Sequence, residues 1–248
     1  EDVNELVGSL RNVSNGLNII DVRLMDGRSM SAFKKALFGQ FAQVAKAMSS
    51  GNRLEMLEFL AQCEYSVEDL AKVMGLSVAN TSHHLQQLRH AGMVTTRKEG
   101  QRVFYRLNGE DVNELVGSLR NVAERHLAEV DQLVGTYLTS KDSMEPIPRD
   151  ELMQRAKEGS VTVLDVRPPA EYAAGHLPGA VNVPLKELKK HLSEFDPQCE
   201  IVAYCRGPYC VLAFEAVKLL RGKGFRVRRL QDGYPEWKQA GLPVETAR

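Results

Sequence analysis

Two cysteines, Cys205 and Cys210, flank a short segment whose spacing suits thiol chemistry. An apolar run ends at Tyr204, Cys205 follows at once, and a helical pattern begins near Val211. Backbone N–H groups at the start of a helix carry partial positive charge, so they lower the pKa of a nearby thiol and can hold an anion beside it. The pattern therefore predicts a reactive thiol at Cys205 in a strand–loop–helix turn, with an ordinary strand-end cysteine as the alternative.

The elements around this loop alternate between strand and helix patterns. Apolar runs typical of buried strands cover residues 161–166, 179–183, 200–204 and 227–230. Helical patterns cover residues 149–158, 185–192, 211–223 and 235–240. This alternation predicts an α/β domain with a mostly parallel sheet. The Cys205 loop would then lie at the carboxyl end of a central strand, where open sheets bind ligands.

Two further motifs bring this region close to a known family. LDVRPPAEYAAGHLPGAVNVP at residues 164–184 and DGYPEWKQAGLPV at residues 232–244 flank the loop, and residues 147–244 resemble the rhodanese family. The resemblance implies that Cys205 takes up sulfane sulfur as a persulfide, and that the loop has the six-residue span of sulfur-handling members. Many active members carry arginine or another polar residue where this chain has Cys210, which argues against simple thiosulfate turnover. The predicted catalytic residues are Cys205 and Cys210, and the rest of the active-site loop is Arg206, Gly207, Pro208, Tyr209 and Val211.

Cys210 has two open interpretations. It is either a resolving thiol, which attacks a persulfide or a sulfenic acid on Cys205 and forms a disulfide, or a cysteine packed at the start of a helix. Only the first interpretation makes the loop a switch.

The first half of the chain has the turn signals of a DNA-binding module. Helical patterns cover residues 31–48, 52–62, 67–74 and 78–91, with a turn at residues 75–77. Strand-like runs at 93–98 and 102–107 enclose a hairpin turn at 99–101. Helix, turn, helix and hairpin together predict a winged helix-turn-helix, whose basic wing suits phosphate contacts. A helical bundle with an ordinary hairpin is the alternative.

LSVANTSHHLQQLRHAGMV at residues 76–94 and RVFYRL at residues 102–107 resemble the ArsR-type winged helix-turn-helix repressors. The resemblance implies a homodimer on a two-fold symmetric double-stranded DNA operator, with the helix at 78–91 in the major groove. The predicted DNA-binding residues are Ser77, Ala79, Asn80, His83, His84, Gln87, Arg97, Lys98 and Arg102. Residues 66–70 read SVEDL where the family's metal sensors carry C-V-C-D-L. We therefore expect no metal and no cofactor.

The rest of the chain sets the domain boundaries. Residues 110–138 predict one long helix, whose apolar seam fits pairing with another copy or packing within the chain. Residues 1–13 repeat residues 110–122 identically. We expect residues 1–29 to be a non-native or disordered leader, with a genuine extra helix as the alternative. The predicted domains are the winged domain at 30–138, a polar linker at 139–148 and the rhodanese-like domain at 149–248.

Composition narrows the class of protein. The 248 residues carry 32 basic and 32 acidic side chains, but residues 31–107 have a basic excess. The four cysteines are too few for a disulfide scaffold, and no run is apolar enough to span a membrane or act as a signal peptide. We therefore expect a cytoplasmic protein with no membrane partner.

Two functions from different classes follow. The first is a transcriptional repressor whose DNA affinity changes when a sulfane sulfur donor or an oxidant reacts at Cys205. The alternative is a sulfurtransferase that moves sulfane sulfur through a Cys205 persulfide, with an accessory DNA-binding domain. A third option, an inert binding module, is disfavoured because the cysteine is retained in the loop.

Overall fold

The computed structural model describes residues 30–138 and 146–247. The described residues divide into two units, with the division between residues 42 and 43. The predicted leader at residues 1–29 and residues 139–145 of the predicted linker lie outside the described residues. Below, residues 43–138 are called the winged domain and residues 146–247 the α/β domain.

The predicted winged helix-turn-helix is confirmed. The helices of residues 30–138 are α1 (Met30–Met48), α2 (Gly51–Leu60), α3 (Val67–Met74), α4 (Val78–His90), α5 (Glu110–His126) and α6 (Ala128–Tyr137). The strands are β1 (Tyr65–Ser66), β2 (Val94–Glu99) and β3 (Arg102–Leu107), which form an antiparallel sheet in the order β1-β3-β2. The short strand β1 was not predicted, since two residues are too few for a periodic pattern.

Local chemistry explains where the turn between α3 and α4 falls. The Ser66 hydroxyl caps α3 by accepting from the Asp69 N–H at 3.1 Å, and the Ser77 hydroxyl caps α4 by accepting from the Asn80 N–H at 3.2 Å. Gly75 ends α3 with φ 66°, a left-handed conformation that favours glycine. These three residues place the start of α4 on the surface.

Helix α4 packs on the core of the winged domain through one face. Thr81, Leu85 and Leu88 are fully buried, as their spacing predicts. Leu85 and Leu88 belong to one apolar cluster with Met56 and Leu57 of α2. The opposite face of α4 is therefore held outward by a packed core.

The predicted long helix at 110–138 is wrong in one respect, because the chain forms two helices. Leu127 separates α5 from α6 with φ −113° and ψ 103°, outside the helical range. Leucine favours helices, so nothing in the local sequence explains the break. Apolar side chains of both helices remain exposed: Leu115, Leu119, Val122, Leu127, Leu133 and Tyr137.

The predicted α/β domain with a parallel sheet is also confirmed. Its strands are β4 (Val161–Asp165), β5 (Val181–Asn182), β6 (Glu200–Tyr204) and β7 (Val227–Arg229), all parallel in the order β5-β4-β6-β7. Its helices are α7 (Arg149–Lys157), α8 (Pro169–Ala174), α9 (Val211–Arg221) and α10 (Tyr234–Gln239). The predicted helix at 185–192 is wrong: two 3-10 turns, Leu188–Lys190 and Leu192–Glu194, take its place. Only Leu188 is fully buried there, so one apolar anchor holds the segment and the poorer i→i+3 bonds suffice.

Strand β6 lies between β4 and β7 and is buried on both faces. Ile201 and Ala203 belong to the cluster that packs on α9, whereas Val202 and Tyr204 belong to a cluster on the other face with Trp237. Ile147, which the sequence assigned to the linker, is fully buried in that second cluster and bridges to Leu230. Within the described ranges, no helix is long and apolar enough to cross a membrane.

Candidate functional site

The loop between β6 and α9 brings the two predicted thiol residues together. Cys205 directly follows β6 and is 1% exposed, and Cys210 occupies the N-cap position of α9. The two residues form a disulfide, with their Cα atoms 6.1 Å apart. The Cys210 N–H donates to the Gly207 carbonyl at 3.1 Å, which closes the loop into a turn. The loop therefore runs directly into the first turn of α9, whose N–H groups carry partial positive charge.

The backbone at the start of helix α10 packs closely against the backbone of the thiol loop. A Cβ atom on Gly233 would lie 2.3 Å from the Gly207 nitrogen and 2.4 Å from the Arg206 carbonyl carbon, far inside van der Waals contact. The next residue, Tyr234, donates its N–H to the Cys205 carbonyl at 3.0 Å. The glycine of the DGYPEW motif is thus required because the loop backbone rests on it.

We expect Gly233→Ala to lower the free energy of unfolding by about 2 kcal/mol, because the new methyl group forces the loop and α10 apart. Urea unfolding followed by tryptophan fluorescence measures this change, since Trp237 lies on α10. The control is Gly135→Ala on α6, where a Cβ meets nothing within 4 Å. This control should be neutral or slightly stabilising, and equal loss in both variants would contradict the close-contact argument.

Arg206 does not present its charge to the sulfur atoms. Its guanidinium donates to both carboxylate oxygens of Glu171, at 2.7 Å from Nη2 to Oε1 and 2.9 Å from Nε to Oε2. Burial opposes the charged form, but the bonds to Glu171 hold the pKa of Arg206 above its ordinary value. Arg206 is therefore part of an ion pair with Glu171 and not a free positive charge beside the thiol.

A second buried ion pair lies at the end of the neighbouring strand β4. Arg167 and Asp165 are fully buried, with 2.6 Å between Nη2 and Oδ2. The Tyr204 hydroxyl donates to the same Oδ2 atom at 2.5 Å, and Arg167 also donates to the Gly175 carbonyl at 2.7 Å. This network ties β4 to the last residue of β6 and so positions the start of the loop. Sequence reasoning missed both ion pairs, although charged residues in the apolar LDVRP segment were a signal.

Two further cysteines lie outside the loop. Burial raises the pKa of the Cys63 thiol to about 12, with the Glu171 carboxylate adding to the effect. Cys63 is therefore protonated and unreactive near neutral pH, and it packs against the core of the winged domain. Cys199 is partly buried and its thiol donates to the carbonyl of Glu200 at 3.7 Å.

The predicted DNA-binding residues of α4 lie on its outer face. Ser77, Ala79, Asn80 and His83 are exposed, and His84 and Gln87 are half-buried. The Gln87 amide is engaged on both sides: its oxygen accepts from Arg53 Nη1 at 2.6 Å, and its nitrogen lies 2.7 Å from His83 Nε2.

The wing residues Lys98 and Arg102 are exposed, as is Arg97. Arg97 differs from the other two because it pairs with Glu99 at 2.6 Å and with Glu64, and its guanidinium lies over the Phe104 ring. Arg97 must exchange these partners before it can contact a phosphate. Across the described parts of the chain, no group of three or more His, Cys, Asp or Glu side chains could hold a metal ion.

Comparisons with known proteins agree with both halves of the fold. The protein-family model described as "Bacterial regulatory protein, arsR family" matches residues 50–96. The protein-family model described as "Rhodanese-like domain" matches residues 148–240. A helix-turn-helix regulator with a carboxy-terminal rhodanese-like domain is the class that these matches define. The HTH-type transcriptional regulator Rv0324 of Mycobacterium tuberculosis is 46% identical over 212 residues, which cover 86% of this chain and 93% of that protein. The chain therefore belongs to the arsR family of HTH-type transcriptional regulators.

Two other relatives match one half each. A sulfurtransferase of Allochromatium vinosum is 33% identical over 100 residues, covering 40% of this chain and 92% of that protein. The solution structure of the homodimeric winged helix-turn-helix DNA-binding domain of Mb0332 from Mycobacterium bovis is 43% identical. It covers 42% of this chain and 94% of that chain, with a TM-score of 0.38.

Proposed function

We propose that this regulator is a dimeric repressor whose α/β domain senses reactive sulfur or oxidants through Cys205. The observation that carries the proposal is the Cys205–Cys210 disulfide in a loop that contacts the winged domain. A regulator with a reversible dithiol has two states, and DNA affinity changes if the winged domain interacts differently with each. Bacterial DNA lies in the cytoplasm, so we place this DNA-binding regulator in the cytoplasm.

The chemistry balances by two routes. In the first, the Cys205 thiolate attacks the outer sulfur of a persulfide donor, RSSH, and forms Cys205–SSH while RS⁻ leaves. Cys210 then attacks the inner sulfur, which gives the disulfide and releases H₂S. In the second, the Cys205 thiolate attacks hydrogen peroxide and becomes a sulfenic acid, while hydroxide leaves. The Cys210 thiol then attacks the sulfenic sulfur, which gives the same disulfide and releases water. Thiols of the cell return both sulfurs to the reduced state.

The dimer is proposed from the exposed apolar surface of α5 and α6. Leu119 and Val122 of α5 are 41% and 58% exposed, and Leu133 and Tyr137 of α6 are 71% and 54% exposed. An apolar face of this size is unfavourable in water, and a second copy of the same face would cover it. Two α4 helices related by a two-fold axis would then meet two half-sites of an operator.

The sulfurtransferase alternative is supported by the position of Cys205 at a strand end before a helix. Cys210 argues against turnover, because it lies next to Cys205 and competes with any external acceptor for the persulfide. Sustained release of product from thiosulfate or another sulfane donor, at many turnovers per Cys205, would favour the enzyme.

The test compares operator affinity with and without glutathione persulfide for the wild type, Cys205→Ser and Cys210→Ser. The operator is selected from a random duplex pool, and the salt concentration is fixed because it alters affinity strongly. We expect the donor to change the wild-type affinity about tenfold, in the range of ordinary coupling between two sites. Cys205→Ser should lose this response. Donor-insensitive binding by the wild type would overturn the sensor.

A further inference from the structure

The thiol loop packs directly on the winged domain at the carboxyl end of α2. The Arg206 guanidinium lies over the Phe59 ring, with 4.4 Å to the ring centre, and the Arg206 carbonyl accepts from Gln62 Nε2 at 3.3 Å. Phe59 and Gln62 are 7% and 4% exposed, so this contact excludes water. A cation held over an aromatic ring in a dry contact is worth more than the same pair at the surface. The residue after Cys205 is thus held by the winged domain on two sides.

The side chain of Gln62 joins two parts of the α/β domain. Its nitrogen bonds the loop at Arg206, whereas its oxygen accepts from Arg167 Nη1 at 2.9 Å. Arg167 is the buried partner of Asp165, which also accepts from Tyr204 at the end of β6. The Gln62 nitrogen also donates within the winged domain, to the Glu58 carbonyl at 3.1 Å, whereas its oxygen is bonded by Arg167 of the α/β domain. A buried amide is costly unless both of its ends are bonded, so the oxygen depends on the contact between the two domains.

Tyr65 of β1 completes the cluster from a second element. Its hydroxyl donates to Glu171 Oε1 at 2.6 Å, and Glu171 is the carboxylate that binds Arg206. Burial together with the Glu171 charge raises the pKa of the Tyr65 hydroxyl, so the group remains a hydrogen-bond donor at every physiological pH. The carboxylate that neutralises Arg206 is therefore oriented by a residue of the winged domain.

The rim of the same interface is ionic and partly exposed. Arg120 of α5 pairs with Glu236 of α10 at 2.8 Å, and the Tyr209 hydroxyl donates to Glu124 at 2.9 Å. Lys238 of α10 also pairs with Glu110 of α5. Exposed pairs of this kind contribute little each. The buried cluster of Phe59, Gln62 and Tyr65 therefore carries most of the energy that fixes the loop against the winged domain.

The other end of α2 holds the DNA-facing helix. The buried side chain of Arg53 donates to Gln87 of α4 at 2.6 Å, and it also bonds the carbonyl oxygens of Ala47 and Lys46. Arg53 and Phe59 both lie on α2, six positions apart, which is roughly 9 Å along a helix. One rigid element thus contacts the thiol loop at one end and a predicted DNA-binding residue at the other.

We propose that Phe59, Gln62 and Tyr65 of the winged domain are positioning residues for the thiol loop, and that they couple the state of the Cys205–Cys210 pair to helix α4 through α2. The coupling to DNA rests on the proposed function, whereas the positioning of the loop does not. The contacts described above are made with the disulfide closed. On reduction the two sulfur atoms must separate to van der Waals contact, so the loop changes shape while Arg206 is held in place. The cluster therefore stabilises the disulfide relative to the dithiol.

The direct test is the thiol–disulfide equilibrium of the pair in glutathione redox buffers, without DNA. Two glutathione molecules supply two electrons and two protons to the disulfide, which gives two cysteine thiols and one glutathione disulfide. We expect Tyr65→Phe and Gln62→Met each to shift the equilibrium constant about fivefold toward the dithiol, the lower end of ordinary coupling. Both substitutions keep the size of the side chain, and loss of the Tyr65 hydroxyl leaves the ring packed edge-on against Phe59.

The matched control is Tyr105→Phe. Tyr105 pairs with Tyr65 across the sheet and is 6% exposed, and it belongs to the core of the winged domain. An equilibrium constant within twofold of the wild type in the control, together with the shift in both interface variants, supports the proposal. Equal constants in all four proteins overturn it, as does an equal shift in Tyr105→Phe, which would signal a general effect of stability.

Reciprocity separates this proposal from the sensor function. If the coupling reaches α4, saturating operator DNA shifts the equilibrium constant of the wild type by the same factor by which reduction shifts operator affinity. In the double variant Tyr65→Phe/Gln62→Met, DNA should change the equilibrium constant less, and reduction should change operator affinity less, than in the wild type. A wild type whose DNA binding ignores the thiol state would overturn the sensor, while a shift in the interface variants without DNA would still support the positioning residues. A response that persists unchanged in the double variant would overturn the coupling and leave the sensor standing.

Discussion

Replacement of Arg167 by methionine is expected to lower the free energy of unfolding of the α/β domain by about 3–5 kcal/mol. Arg167 and Asp165 are both fully buried, and methionine would leave the Asp165 carboxylate without its cation. The Gln62 oxygen and the Gly175 carbonyl would also lose a donor. A buried charge with no partner is far less stable than the same group in water. Urea unfolding monitored by circular dichroism and by the fluorescence of Trp237 measures the change.

Two variants show whether burial is the cause. Asp165→Leu/Arg167→Met removes both charges together, and it should recover part of the loss because an apolar pair can replace a buried ion pair. Arg97→Met breaks an ion pair at the surface, where the Arg97 side chain is 47% exposed, and should change stability much less than Arg167→Met does. A similar loss in Arg97→Met and Arg167→Met would contradict the assignment of Arg167 as a buried structural cation.

Local patterns were sufficient for the elements that surround the thiol loop. The apolar run of β6, the turn residues Gly207 and Pro208, and the helical period from Val211 onward predicted a strand, a loop and a helix, and each lies where expected. In the winged domain, the turn at residues 75–77 and the spacing of Leu85 and Leu88 predicted the start and the inner face of α4. Each of these signals spans only a few consecutive residues, so it can be recognised in a single sequence.

The residues that contact the thiol loop from the winged domain could not be predicted from local patterns. Tyr65 and Glu171 are 106 positions apart, and Gln62 and Arg206 are 144 positions apart. Nothing near Gln62 distinguishes it from a surface glutamine at the end of an amphipathic helix, because Arg167 and Arg206 contact it only when the two domains meet. The 3-10 turns after Pro184 were missed for a related reason, since the burial of Leu188 overrides helix propensity in a short segment. The break at Leu127 has no structural explanation, because that side chain is exposed.

The long-range cluster changes what Arg206 can do. Read locally, an arginine next to Cys205 stabilises a thiolate or a bound anion. In the folded chain its charge is matched by Glu171, so the helix N-terminus of α9 is the remaining local source of positive potential at the sulfur atoms. Arg206 instead contacts Phe59 and Gln62 of the winged domain, and these are the contacts on which the proposed coupling rests.

The largest expected effect on DNA binding comes from α4. Asn80→Ala should weaken operator binding by about 1–3 kcal/mol, because an asparagine in the major groove can bond the edge of one base in two places. The Asn80 side chain is exposed in the free protein, so the fold should be unaffected. Binding to unrelated duplex DNA should change little, since that binding depends on phosphates. The ratio of operator to unrelated affinity, measured at fixed salt, is the quantity that reports this loss.

Arg102→Ala on the wing is the matched comparison, because its exposed cation is suited to a phosphate. It should weaken operator and unrelated DNA alike, and it should reduce the slope of log affinity against log salt by about 1. Asn80→Ala should leave that slope unchanged. Equal losses on both DNAs for Asn80→Ala would remove α4 as the base-reading helix, whereas an unchanged salt slope in Arg102→Ala would remove the wing as a phosphate contact. The two variants together separate sequence recognition from electrostatic attraction at this surface.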